Sequence, residues 1–210
     1  MVTAAYCWLA YSEAYLGQKL DPYFQDDKAA GLIDYDDAVF MFQNLTIKLN
    51  ELNYYYGAKV SLQNSADTGQ TITLAGYTED GQDATAEMDY VIVDACTYLG
   101  LPQPPMSCAL TPKTPGKFIE KVLDCIATGV GMPQFVNADV MVERALHLWG
   151  PDGLSLEKSR RTAIGACVGS YLPLVDEDGR PFGIIGSRDL INHFGSLAIN
   201  GEEQVELLLR

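Results

Sequence analysis

Arg160-Arg161-Thr162-Ala163-Ile164-Gly165-Ala166-Cys167-Val168-Gly169-Ser170-Tyr171-Leu172-Pro173 holds one cysteine among small and apolar residues, with a glycine two positions to either side. No His, Lys or Glu adjoins the sulfur in sequence. A reactive thiolate wants a cation, a helix N-terminus or a base close by, and the immediate sequence neighbours of Cys167 supply neither cation nor base. A thiol that gives and takes a hydrogen atom has different needs: dryness, tight packing and no competing proton chemistry. An ordinary buried cysteine also satisfies the pattern, because free Cys is among the most buried residue types.

The stretches before it decide between the two. Thr68-Gly69-Gln70-Thr71-Ile72-Thr73-Leu74 and Asp80-Gly81-Gln82-Asp83-Ala84-Thr85 come first, then Leu101-Pro102-Gln103-Pro104-Pro105-Met106-Ser107. Gly129-Val130-Gly131-Met132-Pro133-Gln134-Phe135-Val136-Asn137 follows, and the Ser159-Arg160 pair precedes the cysteine. From about residue 20 to residue 173 this order resembles the large domain of glycyl radical enzymes, the pyruvate formate-lyase-like family. The resemblance implies an α/β barrel made of two half-barrels, with a cysteine on a finger loop inside it. This chain would supply a partial α/β barrel, half-barrel-like, of parallel strands with outer helices.

What the resemblance implies for chemistry is specific. Cys167 would be the catalytic thiol, becoming a thiyl radical that takes a hydrogen atom from a small organic substrate. Gly169, Ser170, Gln103 and Asn137 would line the substrate. The family's glycyl loop reads roughly Arg-Val-x-Gly-Tyr, and no such stretch occurs in the sequence; Gly179-Arg180-Pro181-Phe182-Gly183 does not fit. The radical is therefore expected on another segment, installed there by a radical-SAM activating enzyme, with no cofactor or metal on this chain. The expected partners are that activase and a chain carrying the glycyl loop and the rest of the barrel. A fragment, one subunit of a split enzyme and a scaffold homologue that kept the fold all agree with this.

Two departures narrow the reaction. Family members that eliminate a group or decarboxylate aryl acetates commonly carry a glutamate two residues after the finger cysteine, where this chain has Gly169. Pyruvate formate-lyase uses two adjacent cysteines, and Ala166 stands in the first of those positions. A radical step that needs no carboxylate at this loop, such as addition across a double bond, is what remains.

Composition agrees with a globular chain. At 210 residues and 48% hydrophobic it can bury one good core. A net charge of −14 disfavours nucleic acid and anionic membrane surfaces as partners. No apolar run has the length of a membrane span, the N-terminus has no signal-peptide pattern, and five cysteines without a Cys-x-x-Cys pair favour a reducing cytoplasm.

Read in order, the chain is one domain in three parts: a helical segment over 1–67, a strand and helix portion over 68–173, and C-terminal helices over 174–210. A helix is expected over 2–16, stopped by Gly17, with Asp21-Pro22 opening a loop. Asp26, Asp27, Asp34, Asp36 and Asp37 read as a solvated face rather than a metal loop. Asp34 or Asp36 caps a helix to about Asn53 with Val39, Phe42, Leu45, Leu49 and Leu52 inward. Tyr54, Tyr55 and Tyr56 cover its end. Asp83 caps the next helix, which Gly100 closes. Thr114-Pro115 opens another with Phe118, Val122, Cys125 and Ile126 on one face. Asn137 caps a helix through Val140, Arg144, Leu148 and Trp149, ended by Gly150-Pro151, and Ser155 caps a short one. Four to six strands alternate with these helices, the pattern of parallel strands with crossovers. A cysteine hydrolase is the competing enzyme reading, with His147 or His193 as its base. His147 reads as a partly buried structural residue, and nothing places an oxyanion hole.

Overall fold

The computed structural model describes residues 13–51, 71–101, 103–151, 153–165, 169–175 and 181–186. Four parallel strands, β1 Glu13–Ala14, β2 Ile72–Ala75, β3 Met106–Leu110 and β4 Gln134–Asn137, lie side by side in chain order. Helices make the crossovers that parallel neighbours require. They are α1 Leu16–Ala29 and α2 Tyr35–Glu51 between β1 and β2, α3 Glu87–Leu99 between β2 and β3, and α4 Gly116–Cys125 between β3 and β4. A π turn, Ile126–Val130, continues α4, and α5 Ala138–Trp149 follows β4 directly.

Alternation along the strands divides the sheet into two faces. Ile72, Leu74, Met106 and Cys108 join Phe42, Val91, Phe118 and Val122 in the main core, under the helices. Thr73 and Ser107 are buried on the other face. Phe118, Val122 and Cys125 form the buried stripe of α4, as their helical spacing predicts. Gly100 closes α3 in the left-handed conformation, with φ 59°.

Other helix boundaries differ from the sequence reading, for visible reasons. No helix stops at Gly17: α1 begins at Leu16, after Tyr15 turns the chain through a left-handed φ of 56°, and runs on through Pro22. Gly17 is there for close approach, because a Cβ on it would sit 1.9 Å from Asp89 Oδ1. Asp21 opens no loop; its Oδ1 accepts from the Met88 N–H at 3.0 Å, at the start of α3. Asp34 does cap α2, accepting from the Asp37 N–H at 2.9 Å. The inward face of α2 is Ala38, Val39, Phe42 and Thr46, while Leu45 is exposed. Ala86, not Asp83, precedes α3; Asp83 instead accepts from the Thr111 and Thr114 hydroxyls and the Thr85 N–H. The buried positions of α5 are Ala138, Met141, Ala145 and Trp149, leaving Val140 and Leu148 exposed. The 1–12 and 52–70 segments, with most of the expected 2–16 helix and the three tyrosines, lie outside the described residues; the end of that expected helix is strand instead, since Glu13–Ala14 is β1.

A second sheet is antiparallel. β5 Ala163–Gly165, β6 Gly169–Val175 and β7 Pro181–Gly186 run in that order, and the parallel arrangement expected through residue 173 ends at β4. The reason is length: a parallel crossover takes a dozen or more residues, and Gly165 pairs with Gly169. β7 is a strand in the part of the chain expected to be helical. Its Phe182, Ile184 and Ile185 favour a strand, and Gly183 and Gly186 read as turn residues. The Asp178-Gly179 turn and the helices expected after Ser187 fall on positions outside the described residues.

Asp89 is a buried carboxyl in the first turn of α3. Its Oδ2 accepts from the Ala86 N–H at 2.9 Å. Burial pushes its pKa up to about 7, Asp21 and Asp83 add to the rise, and the N–H groups of Ala86 and Ala75 oppose it. The folded protein therefore holds this proton more tightly than the unfolded chain. Stability falls as pH rises from about 4 to about 7 and levels off above, by up to about 4 kcal/mol from this group. Urea unfolding across that range should show the slope, and Asp89→Asn should remove it; an unchanged slope in the variant would contradict the assignment.

Candidate functional site: a hairpin held on the inner face of the sheet

On the face away from the helices, register places Thr73 opposite Ser107 and Ser107 opposite Gln134. These make a polar row across three strands, in which Gln134 Nε2 donates to Ser107 Oγ at 2.7 Å. The next row toward the strand C-termini is Ala75, Ala109 and Val136. Its small side chains make room for β5: Ile164 packs in a cluster with Ala109, Ala138 and Met141.

Thr73 joins the two sheets. Its Oγ1 accepts from the Ile164 N–H at 3.1 Å and donates to the Ile164 carbonyl at 3.3 Å. The Tyr15 hydroxyl grips the approach to β5, 2.5 Å from the Thr162 carbonyl and 3.3 Å from that of Arg160. Burial raises the Tyr15 pKa above the ordinary phenol range, with Arg161 pulling weakly the other way, so the hydroxyl stays a donor. Arg160 donates to the Glu79 carbonyl at 2.5 Å, and Arg161 pairs with the Glu79 carboxylate at 2.6 Å. Tyr77 donates to Asp139 Oδ1 at 2.5 Å, and its pKa is pushed up to about 12, first by burial and then by that hydrogen bond.

The Tyr15 ring lies against Gly76, which has φ +90°; a Cβ there would be 2.7 Å from Tyr15 Cε1. Gly76→Val combines left-handed strain with a clash. It should cost about 2–4 kcal/mol in denaturant unfolding. A loss under about 1 kcal/mol would mean that the Tyr15 ring moves aside freely.

The expected site residues separate into groups. Cys167 lies outside the described residues. Gly169 begins β6 opposite Gly165, and Ser170 stands opposite Ile164. Gln103 is buried before the N-terminal end of β3. Asn137 ends β4 at the other end of the strands, exposed, with Oδ1 accepting from the Val140 N–H at 3.1 Å. The two are set apart by the length of β3, Met106–Leu110, about 13 Å at roughly 3.3 Å per residue. His147 is exposed rather than partly buried, and His193 is outside the described residues. Thr73 and Tyr15 are the site residues that sequence reasoning misses. Thr73 could have been found from the alternation of Thr71-Ile72-Thr73-Leu74, which puts threonines on the face opposite the core. Tyr15 gave no signal, since it fell within an expected helix.

The described thiols are of another kind. Cys96, Cys108 and Cys125 are free and buried on the helix side. Burial raises all three, Cys96 to about 12, so they stay protonated packing groups. Among the described residues no group of three or more His, Cys, Asp or Glu could hold a metal ion. No helix among them is long and apolar enough to cross a membrane.

The family model described as "Pyruvate formate lyase-like" matches residues 10–174. The chain belongs to this family. Within this pyruvate formate lyase-like family, the sequence is 29% identical over 164 residues to the 4-hydroxyphenylacetate decarboxylase glycyl radical subunit of Clostridium scatologenes, covering 76% of this chain and 18% of that protein. It is 28% identical over 163 residues to the trans-4-hydroxy-L-proline dehydratase of Clostridioides difficile, covering 77% of this chain and 20% of that one. The crystal structure of that hydroxyproline dehydratase superposes with a TM-score of 0.63 over 76% of this chain and 20% of its own. The glycerol-bound glycerol dehydratase from Clostridium butyricum gives a TM-score of 0.62 at 27% identity, over 77% of this chain and 20% of that chain. The chain thus spans about a fifth of the length of the relatives it matches. Membership in the glycyl radical enzyme family and an α/β architecture shared with its barrels are established by these matches together.

Proposed function

We propose that this chain is the part of a glycyl radical lyase or synthase that presents the thiyl cysteine, Cys167, to a small organic substrate. The observation that carries the reading is the hairpin on the inner face. Gly165 and Gly169 pair on either side of residues 166–168, and Thr73 fastens β5 inside the half-barrel. In the proposed step the thiyl sulfur takes a hydrogen atom from a substrate C–H. An S–H bond forms, the C–H bond breaks, and an unpaired electron is left on carbon. The two bonds are close in strength, so the exchange runs in both directions. The radical is stored on a glycine outside these 210 residues, placed there by a radical-SAM activating enzyme. The chain is accordingly inactive alone and works with the rest of the barrel.

Gly169 supplies no carboxylate beside the sulfur, and a hydroxyl at Ser170 is too weak an acid to replace one. Loss of a positioned proton donor typically costs about 10²–10⁴-fold. That favours a radical step without proton transfer at this loop, such as addition across a double bond. The same substitution favours the second reading, a scaffold homologue that kept the fold. Electron paramagnetic resonance tests the division of labour. The chain purified alone with an activating enzyme should show neither a glycyl doublet nor turnover, and the complete assembly should show both. A doublet on the isolated chain would place the radical site within it and overturn the reading. An assembly with a doublet and no turnover on any substrate would favour the scaffold.

A further inference from the structure

We propose that Thr73 is a positioning residue: its hydroxyl sets the register, and hence the reach, of the hairpin arm that leads to Cys167. The inference deepens the proposed function and rests on it. Backbone groups of successive strand residues point to opposite edges. The Ile164 N–H and carbonyl both go to Thr73 Oγ1, so Ala163 and Gly165 turn theirs toward β6, their antiparallel partner. One side chain thus stands where a neighbouring strand would be, and it satisfies both polar groups of one residue. It does so at a site where Thr73 is fully buried and Ile164 nearly so.

This arrangement specifies register, and adhesion alone would not. A slip of one residue would bring Ala163 or Gly165 to the hydroxyl and turn the Ile164 side chain out of its cluster with Ala109, Ala138 and Met141. It would also shift β5 along its own direction by about 3.3 Å. Cys167 follows Ile164 by three residues. Hydrogen-atom transfer needs near contact, and a misplacement of about 1 Å can cost roughly 10²-fold in rate. The Tyr15 hydroxyl on Thr162 and the Arg160 and Arg161 contacts with Glu79 hold the arm further back. They resist its lifting, whereas Thr73 is the contact next to the hairpin end.

The test uses two measurements on the complete enzyme containing this chain. Thr73→Val keeps the shape and removes both hydrogen bonds. Amide exchange in the 160–165 segment should become at least about tenfold faster. In the activated enzyme kcat should fall about 10–100-fold with KM within about twofold and the glycyl signal intact. Thr73→Ser, which keeps the hydroxyl, should restore both. Thr97→Val removes a comparable hydrogen bond inside α3, Thr97 Oγ1 to the Val93 carbonyl, and should change neither. If valine at position 73 does not fold, Thr73→Ala removes the same bonds and is read in the same way. Unchanged exchange at 160–165, unchanged kcat, or failure of serine to rescue would each overturn the inference. Cys167→Ser separates it from the reading beneath: if that variant is inactive while Thr73→Val is normal, only the role of Thr73 falls. If Cys167→Ser is fully active, the proposed function falls with it.

Discussion

Phe118→Ala should lower stability by about 3–5 kcal/mol, the range for emptying a buried aromatic site. Phe118 is fully buried in the first turn of α4. Its ring meets Tyr90 of α3 edge-on, with centroids 5.1 Å apart and planes at 67°, an arrangement that adds to the area buried. It belongs to the cluster in which Met106 and Cys108 of β3 face the helices. Truncation therefore weakens the contact between the helix layer and the central strand at once, and neighbours on a sheet cannot move in to fill the space. For a chain of this size each kcal/mol is roughly 2–4 °C, so melting should drop by about 10 °C. Phe135→Ala is the comparison, because Phe135 is 41% exposed on β4 and should cost well under half as much. Thermal unfolding followed by circular dichroism distinguishes the two, and equal losses would contradict the packing of α4 on β3.

How far the sequence shows the fold depends on whether local signals decide it. Phe118, Val122 and Cys125 repeat at helical spacing, and one face of α4 is buried as that spacing requires. Asn137 and Ser155 cap as their residue types suggest, since a short side-chain acceptor next to free N–H groups is a local matter. The failures come where distant parts of the chain meet. Gly17 looked like a helix stop, and it is buried in α1 because Asp89 of α3 leaves no room for a side chain. Asp83 looked like a cap, and its carboxylate is occupied by two threonines at the start of the α4 segment. β6 turned antiparallel because Gly165 and Gly169 are too close in sequence for a crossover, a constraint of length that residue types do not display. β7 was hidden by its own glycines, Gly183 and Gly186.

The candidate site was legible in the same uneven way. Its motifs are strung along the chain in family order, so membership could be read and the match over residues 10–174 agrees. The face that receives the hairpin was not read, since a threonine alternating in a strand carries no sign of its partner, here Ile164. Gln103 and Asn137, read together as substrate neighbours, lie toward opposite ends of the strands. A linear motif does not reveal which end of a parallel strand it occupies.

The thiyl assignment is tested most directly by Cys167→Ser in the complete, activated enzyme, with turnover and the glycyl radical signal measured in the same sample. An alcohol O–H is much stronger than an S–H, so an alkoxyl radical cannot be generated by the stored glycyl radical at a useful rate. Serine also fills nearly the same space, so binding and folding should be spared. Turnover is expected to fall at least about 10⁴-fold, the order lost when the group that makes the reacting bond is removed, while the glycyl signal keeps its full intensity. Full turnover with serine at position 167 would contradict the role given to Cys167 and, with it, the proposed function of the chain.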